Sequence, residues 1–507
     1  MGTHIRVVIL SQLLGLALPS PTQILSNSTI NATNMNGNDI FSQILRTNQG
    51  HGGLHYQGDI DVRVERSDGT CKDCLWPKSQ NGSVLVPYRI SADYGVSDIE
   101  SITDAMLEFS TLTCVRFVPR SAERDHVIIR SENGCFSSKG RLGGAQTVSL
   151  LKPDCVEFGI IQHELNHVLG LAHENSRMDR DEYITVIETN IPAEFHRDFE
   201  KPESDIVGME YDYNSVMHYG SGAFSNTGGM STLVPKRNPN AQLGQLYGLS
   251  NLDVSKINRL YECDACSTLL SAPSGTLYSA NYPSPYPNNA SCVWLIRIPQ
   301  GQVTLQFVAF DVQPSANCTS DYVRVFDGAS KSSPVLLKRA CGRAQLPVLI
   351  SSARRMLVEF VSDAKHTAFG FKATFTTVQC GGVFYKSPGN ISSPGYPQKY
   401  SANMDCMYLI SAPYHQKVQL RIHTLNMEAS TGCKSDYLAV YNGNTTYSPL
   451  MHKFCGSLAP GEIISSGNSL LLQFHSDPNT EAQGFFASFH FGQYSPSCAT
   501  WSSVSAT

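Results

Sequence analysis

The chain has 507 residues, a hydrophobic content of 41% and a formal net charge of −5 at pH 7. This length is too great for a single hydrophobic core and predicts three or four domains. The weak negative charge excludes the basic surface that a nucleic-acid-binding protein carries, so we expect no nucleic-acid partner.

The N-terminal stretch "MGTHIRVVILSQLLGLALPS" is typical of a secretory signal peptide. Arg6 precedes a short apolar run from Val7 to Leu18, which is too short to span a bilayer. We therefore expect a signal peptide at 1–20, no membrane span and a secreted extracellular protein, with storage in secretory granules as a further possibility. In an exported chain, the 15 cysteines imply disulfides rather than free thiols.

Residues 21–66 are polar and rich in Asn, Gly and Ser, so we expect a propeptide or linker that packs poorly on its own. A globular region follows, with alternating short strands and amphipathic helices. Ser250 is the candidate N-cap of the last helix in this region. The predicted elements are strands at 84–90, 126–130 and 145–151, a Gly- and Ser-rich loop at 133–144, and helices at 98–113, 156–170 and 250–263.

After Cys263 the sequence changes to short strands with Pro and Gly turns, and the pattern repeats at an offset of about 114 residues. This offset is too long for a solenoid repeat and fits a duplicated domain. We expect two all-β sandwich domains after one mixed α/β domain, and an unstructured tail. The aligned pairs are 279–296 with 393–410, 318–328 with 433–443, and 356–363 with 470–477.

The stretch "QHELNHVLGLAHEN" concentrates three histidines and a glutamate in a chain with only 15 histidines. On a helix, His163 and His167 lie four residues apart and share one face, so both rings can reach one ion. Glu164 points about 100° away from His163, close enough to hold a water on that ion. Gly170 can adopt the positive φ that ends the helix and lets His173 return to the same ion.

Three neutral nitrogens with one open position are typical of catalytic zinc, because structural zinc is usually closed by four protein ligands. Zinc lowers the pKa of its bound water toward ~7 and polarises the scissile carbonyl. Glu164 would accept the proton of that water and pass it to the leaving amine. The alternative is a group of satisfied core histidines, but the fixed spacing of the glycine and third histidine favours one Zn²⁺.

The segments "HELNHVLGLAHE" and "SVMHY" (215–219) resemble the astacin branch of the metzincin zinc endopeptidases. The resemblance implies an α/β (α+β) protease domain, in which Glu174 marks the branch. It places Met217 in a turn beneath the zinc. It also makes Tyr219 an additional zinc ligand that swings away to stabilise the tetrahedral intermediate. Without the resemblance, a core methionine and a buried tyrosine would be the simpler interpretations.

The segment "YQGDI" (56–60) resembles the F-x-G-D-I motif of the same family, with Tyr56 in place of phenylalanine. The resemblance implies that Asp59 caps the zinc and displaces the catalytic water in a latent zymogen. The competing interpretation is an ordinary turn, since Gly-Asp pairs are frequent in turns.

Activation of such a zymogen requires a cut between Asp59 and Cys71, and Arg63 and Arg66 are the candidate sites for an activating protease. In the family, the new N-terminus reaches inward toward the glutamate that matches Glu174. A buried carboxylate strongly prefers such a cationic partner.

The repeated segments "YPSPYP", "CVWLI" and "DYVRVFDG" resemble CUB domains, many of which bind calcium through one glutamate and two aspartates. The second repeat has all three carboxylates, at Glu428, Asp436 and Asp477, so we expect possible Ca²⁺ there. In the first repeat Gln313 replaces the glutamate beside Asp321 and Asp363, which makes calcium doubtful. The alternative for both repeats is a set of ordinary polar loop residues.

The two resemblances also imply the disulfide pattern. A redox-active C-x-x-C is the alternative for "CKDC" (71–74), but no thioredoxin-like context surrounds it. Cys498 is left over and could be free or link two chains. The implied pairs are Cys71–Cys74, Cys114–Cys263, Cys135–Cys155, Cys266–Cys292, Cys318–Cys341, Cys380–Cys406 and Cys433–Cys455. The candidate glycosylation sites are Asn27, Asn31, Asn81, Asn289, Asn317, Asn390 and Asn444.

The predicted order of domains resembles hatching enzymes that carry two CUB domains and digest the egg-envelope glycoprotein around an embryo. One rival is a tolloid-like protease that processes matrix or growth factors, although its usual EGF-like modules are missing here. Another rival is an extracellular binding protein in which proteolysis is secondary. The predicted regions are a signal peptide at 1–20, a propeptide at 21–66, a zinc protease at 67–264, CUB domains at 266–377 and 380–492, and a tail at 493–507.

Overall fold

The computed structural model describes residues 39–51, 55–62, 74–201, 208–225, 230–378, 380–413 and 415–493. Within these ranges, no helix is long and apolar enough to cross a membrane. Several predictions fall outside them: the signal peptide, the candidate cut sites Arg63 and Arg66, the tail beyond residue 493, Cys71, Cys498, Asn27 and Asn31.

The region from residue 39 to 263 combines α-helices with a mixed sheet. The helices are α1 (Ile40–His51), α2 (Val96–Leu112), α3 (Phe158–Val168) and α4 (Asn251–Leu260). The strands are β1 (Val84–Ile90), β2 (Val115–Pro119), β3 (His126–Arg130), β4 (Cys135–Ser137), β5 (Ala145–Leu150), β6 (Ile184–Val186) and β7 (Leu233–Pro235). Short 3₁₀ helices occupy Glu174–Ser176, Arg180–Glu182, Glu188–Asn190 and Ala193–Phe199.

The five-stranded sheet has the order β2-β1-β3-β5-β4. Its strands pair in parallel except β4, which runs antiparallel to β5 and forms one edge. Helices α2 and α3 pack against each other and against this sheet. The buried positions of α2 include Ile102, Ala105, Met106 and Phe109, which lie on one face as the helical spacing predicts.

Helix α3 differs from α2 because it is buried on all sides from Gly159 to Val168. It ends just before Gly170, whose φ of +98° is the left-handed conformation that glycine adopts without strain.

Helix α4 begins with a capping box. The Ser250 hydroxyl accepts from the Asp253 amide at 2.9 Å, and the Asp253 carboxylate accepts from the Ser250 amide at 2.9 Å.

Two segments are more ordered than the sequence indicates. The prediction of a loop is wrong at 135–137, where β4 pairs with β5. These three residues are too few to show an alternating pattern. Residues 40–51 of the predicted propeptide form α1, with Phe41 and Ile44 fully buried. A segment that would pack poorly on its own is therefore stabilised by an apolar surface on the α/β domain.

Two β-sandwich domains follow. The first contains β8 (Cys266–Leu270), β9 (Ser274–Tyr278), β10 (Ser291–Arg297), β11 (Val303–Asp311), a 3₁₀ helix (Ala316–Cys318), β12 (Tyr322–Phe326), β13 (Val335–Ala340), β14 (Leu349–Ile350), β15 (Arg355–Val361) and β16 (Gly370–Thr377). The second contains β17 (Gly381–Phe384), β18 (Gly389–Ser392), β19 (Asp405–Ser411), β20 (Gln416–Asn426), β21 (Tyr437–Tyr441), β22 (Leu450–Phe454), β23 (Glu462–Ile464), β24 (Ser469–His475) and β25 (Gly484–Gln493).

Each sandwich consists of a five-stranded and a four-stranded sheet, as expected for two packed layers around one core. The five-stranded sheets have equivalent orders, β13-β12-β15-β10-β8 in the first domain and, reversed, β17-β19-β24-β21-β22 in the second. The five-stranded sheet of the first sandwich also has a face that points away from the sandwich core. This face contributes Leu295, Phe326 and Leu357 to the apolar core of the α/β domain.

Candidate active site

Helix α3 aims two histidines into one buried space. The Nδ1 atom of His163 lies 2.8 Å from the Val216 carbonyl, and that of His167 lies 2.9 Å from the Leu171 carbonyl. A carbonyl can only accept, so each Nδ1 carries the proton and each Nε2 keeps its lone pair. Both rings therefore present a metal-binding nitrogen on the same side.

The turn at Gly170 brings in the third histidine. The Nε2 atom of His173 lies 3.3 Å from that of His163. Burial lowers the pKa of His167 and lowers that of His173 to about 3. The imidazoles of His167 and His173 are therefore neutral near pH 7, which is the form that binds metal ions.

Asp59, which belongs to the predicted propeptide, closes this histidine group. One of its carboxylate oxygens lies 2.9 Å from Nε2 of His163, and the other lies 3.3 Å from Nε2 of His173 and 3.5 Å from that of His167. Burial raises the pKa of Asp59, and the positive charge that His173 and His167 carry when protonated lowers it, with a net direction well below its ordinary value.

Glu164 lies beside this group and has unmet bonding capacity. Its side chain is fully buried, and neither carboxylate oxygen has a hydrogen-bond partner among the described residues. Burial, followed by the negative charge of Asp59, raises the pKa of Glu164 well above its ordinary value. A buried carboxylate without partners is costly in a purely structural role.

The residues present fit a zinc ion. The ligand atoms of Asp59 and the three histidines lie within 4.8 Å of one another, and all four side chains are buried. Nε2 of His167 and Oδ1 of Asp59 have no hydrogen-bond partner in the described part of the chain. Three imidazole nitrogens and one carboxylate oxygen are a donor set typical of tetrahedral zinc.

Tyr219 lies next to the histidines and is held by the predicted propeptide. Its hydroxyl donates to the Gln57 carbonyl at 2.8 Å and lies 3.4 Å from Nδ1 of His173. Its ring stacks on Phe41 of α1, with centroids 3.8 Å apart and an interplanar angle of 13°. The same segment that supplies Asp59 therefore also fixes the tyrosine.

The turn that contains Met217 also contains Val216, whose carbonyl is the hydrogen-bond acceptor of His163. The Asp253 carboxylate of α4 accepts from the Ser215 hydroxyl at 2.6 Å and from the Val216 amide at 2.9 Å. The Val216 carbonyl is the acceptor of His163, so α4 orients this ring through two contacts. Met217 itself is 1% exposed.

Glu174 is buried in the same domain, but its hydrogen-bond partners are not the three histidines. Its carboxylate accepts from Lys256 Nζ at 2.5 Å, from Arg177 Nη1 at 3.1 Å and from the Asp212 amide at 2.8 Å. The expected new N-terminus near Arg66 lies outside the described residues, so its approach to Glu174 stays a prediction.

Sequence reasoning missed three residues of the predicted propeptide at this site. Phe41 and Gln57 contact Tyr219 as described above. Asn48 is fully buried and bonds three backbone groups, the Gly58 and Cys135 carbonyls and the Cys135 amide, at 2.7 to 2.9 Å. The apolar residues of α1 recur at helical spacing, and this signal could have identified the helix.

A second cluster lies in the second β-sandwich, where Glu428, Asp436 and Asp477 offer oxygens within 4.8 Å of one another. The Tyr400 hydroxyl donates to Asp436, whose other oxygen accepts from the Asp477 amide at 2.8 Å. Burial, together with the charges of the two aspartates, raises the pKa of Glu428. Such repulsion is relieved by a bound cation.

The first sandwich has the same arrangement of hydrogen bonds, but one of its three side chains is a neutral amide instead of a carboxylate. Tyr286 donates to Asp321 at 2.5 Å, and the Asp363 amide donates to Asp321 at 2.7 Å. Gln313 takes the place of Glu428, and its side-chain oxygen is buried without a hydrogen-bond partner in the described structure. This domain therefore offers two carboxylates instead of three.

Six disulfides in the described structure coincide with implied pairs: Cys114–Cys263, Cys135–Cys155, Cys266–Cys292, Cys318–Cys341, Cys380–Cys406 and Cys433–Cys455. The described glycosylation candidates are all exposed, as attachment requires: Asn81, Asn289, Asn317, Asn390 and Asn444. Their occupancy stays a prediction.

Comparisons with known proteins agree with this geometry. Residues 72–262 match the model of the Astacin peptidase family, and residues 266–375 and 380–489 match the CUB domain model. The Embryonic protein UVS.2 of Xenopus laevis is 47% identical over 454 residues, which cover 89% of this chain and 88% of that protein. The Astacin-like metalloendopeptidase of Gallus gallus is 48% identical over 342 residues, covering 67% and 83% respectively.

Among solved structures, High choriolytic enzyme 1, a hatching-enzyme zinc protease from Oryzias latipes, has 41% sequence identity and a TM-score of 0.37. The match covers 40% of this chain and all of that one. Family models, relatives and site chemistry thus agree, and the chain belongs to the astacin family of zinc metalloendopeptidases, with two CUB domains after the protease.

Proposed function

We propose that this chain is a secreted zinc endopeptidase, made as a latent zymogen, that digests egg-envelope glycoproteins during hatching. The observation that carries the proposal is the convergence of His163, His167 and His173 on Asp59 of the propeptide. One buried space holds a metal-binding donor set and the group that blocks it.

When bound at the histidines, a zinc ion would supply Lewis acidity to a water molecule and to the scissile carbonyl. Glu164 is the group that accepts the proton of the water and delivers it to the leaving amine. Tyr219, freed from the Gln57 carbonyl, donates its hydroxyl to the oxyanion of the tetrahedral intermediate. His163 keeps its orientation through the Val216 carbonyl.

Latency follows from three contacts of the propeptide with this machinery. Asp59 would take the ligand position that the water needs on a bound zinc ion, the Gln57 carbonyl holds the Tyr219 hydroxyl, and Phe41 covers the tyrosine ring. Cleavage at Arg63 or Arg66 by an activating protease would separate this segment from the protease. The proposed role of α1 is to keep the segment seated until the cut.

The egg-envelope substrate is supported by domain order and by one relative. A CUB match begins at residue 266, directly after the protease match ends at residue 262. A relative named as an embryonic protein aligns over 89% of this chain. The CUB pair would bind the envelope, and Ca²⁺ at Glu428, Asp436 and Asp477 would order the binding loops of the second domain.

The test is digestion of purified egg-envelope protein by the secreted, activated chain. Casein and a matrix precursor protein serve as parallel substrates, and Glu428→Gln is the matched variant for the calcium cluster. Envelope cleavage that exceeds matrix cleavage supports the hatching role. Preferential cleavage of the matrix precursor would replace it with the tolloid-like alternative. Envelope binding without cleavage of any substrate would favour the binding-protein alternative.

A further inference from the structure

The first CUB domain is packed into the protease rather than tethered to it. Leu295, Phe326 and Leu357 are fully buried and belong to the protease core. Two residues separate Cys263, which is bonded to Cys114, from Cys266 at the start of β8. A linker this short holds the two domains close together.

A buried ion pair lies at the centre of this junction. Glu108 of α2 is 0% exposed and Arg297 of β10 is 2% exposed, with Nη1 and Oε2 2.6 Å apart. Arg355 binds Asp104 one turn earlier on α2, at 2.7 and 2.9 Å. Arg355 Nη1 also lies 3.7 Å from the other Glu108 oxygen. Removal of Arg297 therefore leaves the buried Glu108 carboxylate with only this longer contact, which is costly in a dry interior.

The pair connects directly to the zinc-binding helix through Gln162, which precedes His163. The Gln162 amide donates to Glu108 at 3.3 Å and to the Ala105 carbonyl at 3.2 Å. Its oxygen accepts from the Leu249 amide at 2.7 Å, while Arg297 donates to the Leu249 carbonyl at 2.5 Å. Arg297 therefore contacts two of the three residues that hold the Gln162 side chain, Glu108 and Leu249.

The packing around this side chain is tight. Gly248 has a φ of +97°, and a Cβ at this position would clash with the Gln162 oxygen. The Arg297 guanidinium lies 5.8 Å from the ring centre of Phe158, the first residue of α3. Helix α3 thus has little room to shift while Arg297 is in place.

The duplicated domain supplies an internal control. At the offset of about 114 residues, Arg297 and Arg355 align with Ser411 and Ser469. The arginines therefore occur in the copy that faces α2 and are missing from the copy that does not. A generic requirement of the sandwich fold would place them in both.

We propose that Arg297 is a positioning residue for catalysis, which acts through Glu108 and Gln162 on the helix that bears His163 and His167. Protease and first CUB domain together form the catalytic unit. The proposal rests on the endopeptidase activity of the family and not on the egg-envelope substrate, so failure of the hatching role leaves it standing.

The test compares two full-length variants after activation, Arg297→Met and Leu295→Ala, with a casein-derived peptide as substrate. Both variants lower the thermal midpoint, because both residues are buried at the junction. Arg297→Met is expected to lower kcat per folded molecule about tenfold with KM unchanged, since misplaced catalytic groups slow the chemical step. It should also lose zinc to a chelator faster. Leu295→Ala should retain kcat per folded molecule.

Equal kcat per folded molecule in the wild type and Arg297→Met would overturn the proposal and leave Arg297 a purely structural residue. If Arg297→Met is not secreted, two charge-neutral double variants replace it. Arg297→Met with Glu108→Gln keeps an acceptor for Gln162, whereas Arg297→Met with Glu108→Leu does not. The proposal predicts a lower kcat for the leucine pair at similar thermal midpoints, and equal values would contradict it.

Discussion

The two CUB domains use the same face of the same sheet to contact the domain before them, but the two junctions differ in burial. At the protease junction, Leu295 and Phe326 are fully buried. Their counterparts at the junction between the CUB domains, Leu409 and Tyr441, are only partly buried. One surface of a duplicated fold has thus become an internal core in one copy and a lighter contact in the other.

The polar contacts also differ between the two junctions. The protease junction contains charged pairs, whereas the hydrogen bonds described across the second junction are neutral. Tyr385 donates to the Ser352 carbonyl at 3.1 Å, and the Val383 amide donates to the side chain of Gln302 at 3.2 Å. Buried charges demand fixed geometry, and neutral contacts tolerate small rearrangements. The first junction is therefore expected to be the more rigid.

The difference in apolar burial between the two junctions gives the largest expected change in stability. Leu295→Ala should lower the free energy of unfolding by about 2–5 kcal/mol, because it opens a cavity in a shared core. Leu409→Ala should cost about 1 kcal/mol, because the site is partly open to solvent. Urea unfolding of the two full-length variants measures both values. Equal losses would mean that the two junctions are equivalent and would break the comparison.

The difference in calcium binding between the two CUB domains gives the next largest expected change in stability. In the wild type, calcium at a hundredfold excess over Kd should stabilise the second domain by about 2.7 kcal/mol. Glu428→Gln should remove this effect, and Gln313→Glu should create a similar response in the first domain. Differential scanning calorimetry with calcium or chelator measures the shift of each transition. A calcium response that survives Glu428→Gln would locate the ion elsewhere.

The outer ion pair gives the smallest effect. Arg355→Ser copies the residue of the second domain. It removes the pair with Asp104, both partners of which are partly exposed, and a longer contact of 3.7 Å with Glu108, which keeps Arg297 as its close partner. The expected loss is below about 1 kcal/mol, because solvent screens such pairs. Thermal unfolding in low and high salt measures it, with the exposed Arg343→Ser as control. A loss as large as that of Leu295→Ala would show that charge, not apolar burial, holds the junction.

The sequence predicts the convergence of the three histidines well because their spacing is local. His163, Glu164 and His167 lie on one helix, and a single turn at Gly170 returns His173 to them. The duplicated sandwiches are equally visible, since alternation and repeated cysteines mark each copy. These features depend on spacing within short segments.

What the sequence does not predict depends on long-range contact. Arg297 and Glu108 are 189 positions apart, and their pairing exists only once two domains have packed. Phe41 and Tyr219 meet in the same way, between helix α1 of the proposed propeptide and the protease. Strand β4 escapes prediction because its identity comes from pairing with β5 rather than from its own three residues.

The most direct test of the central claim is peptide hydrolysis by the activated full-length chain beside Glu164→Gln, with bound zinc measured in both. The two side chains have nearly the same shape, so the histidines should retain the metal. We predict equal zinc content, with hydrolysis by the wild type and at least a thousandfold lower kcat in the variant, about 4 kcal/mol of transition-state stabilisation. Comparable hydrolysis by both proteins would contradict the assignment of Glu164 as general base and the mechanism built on it.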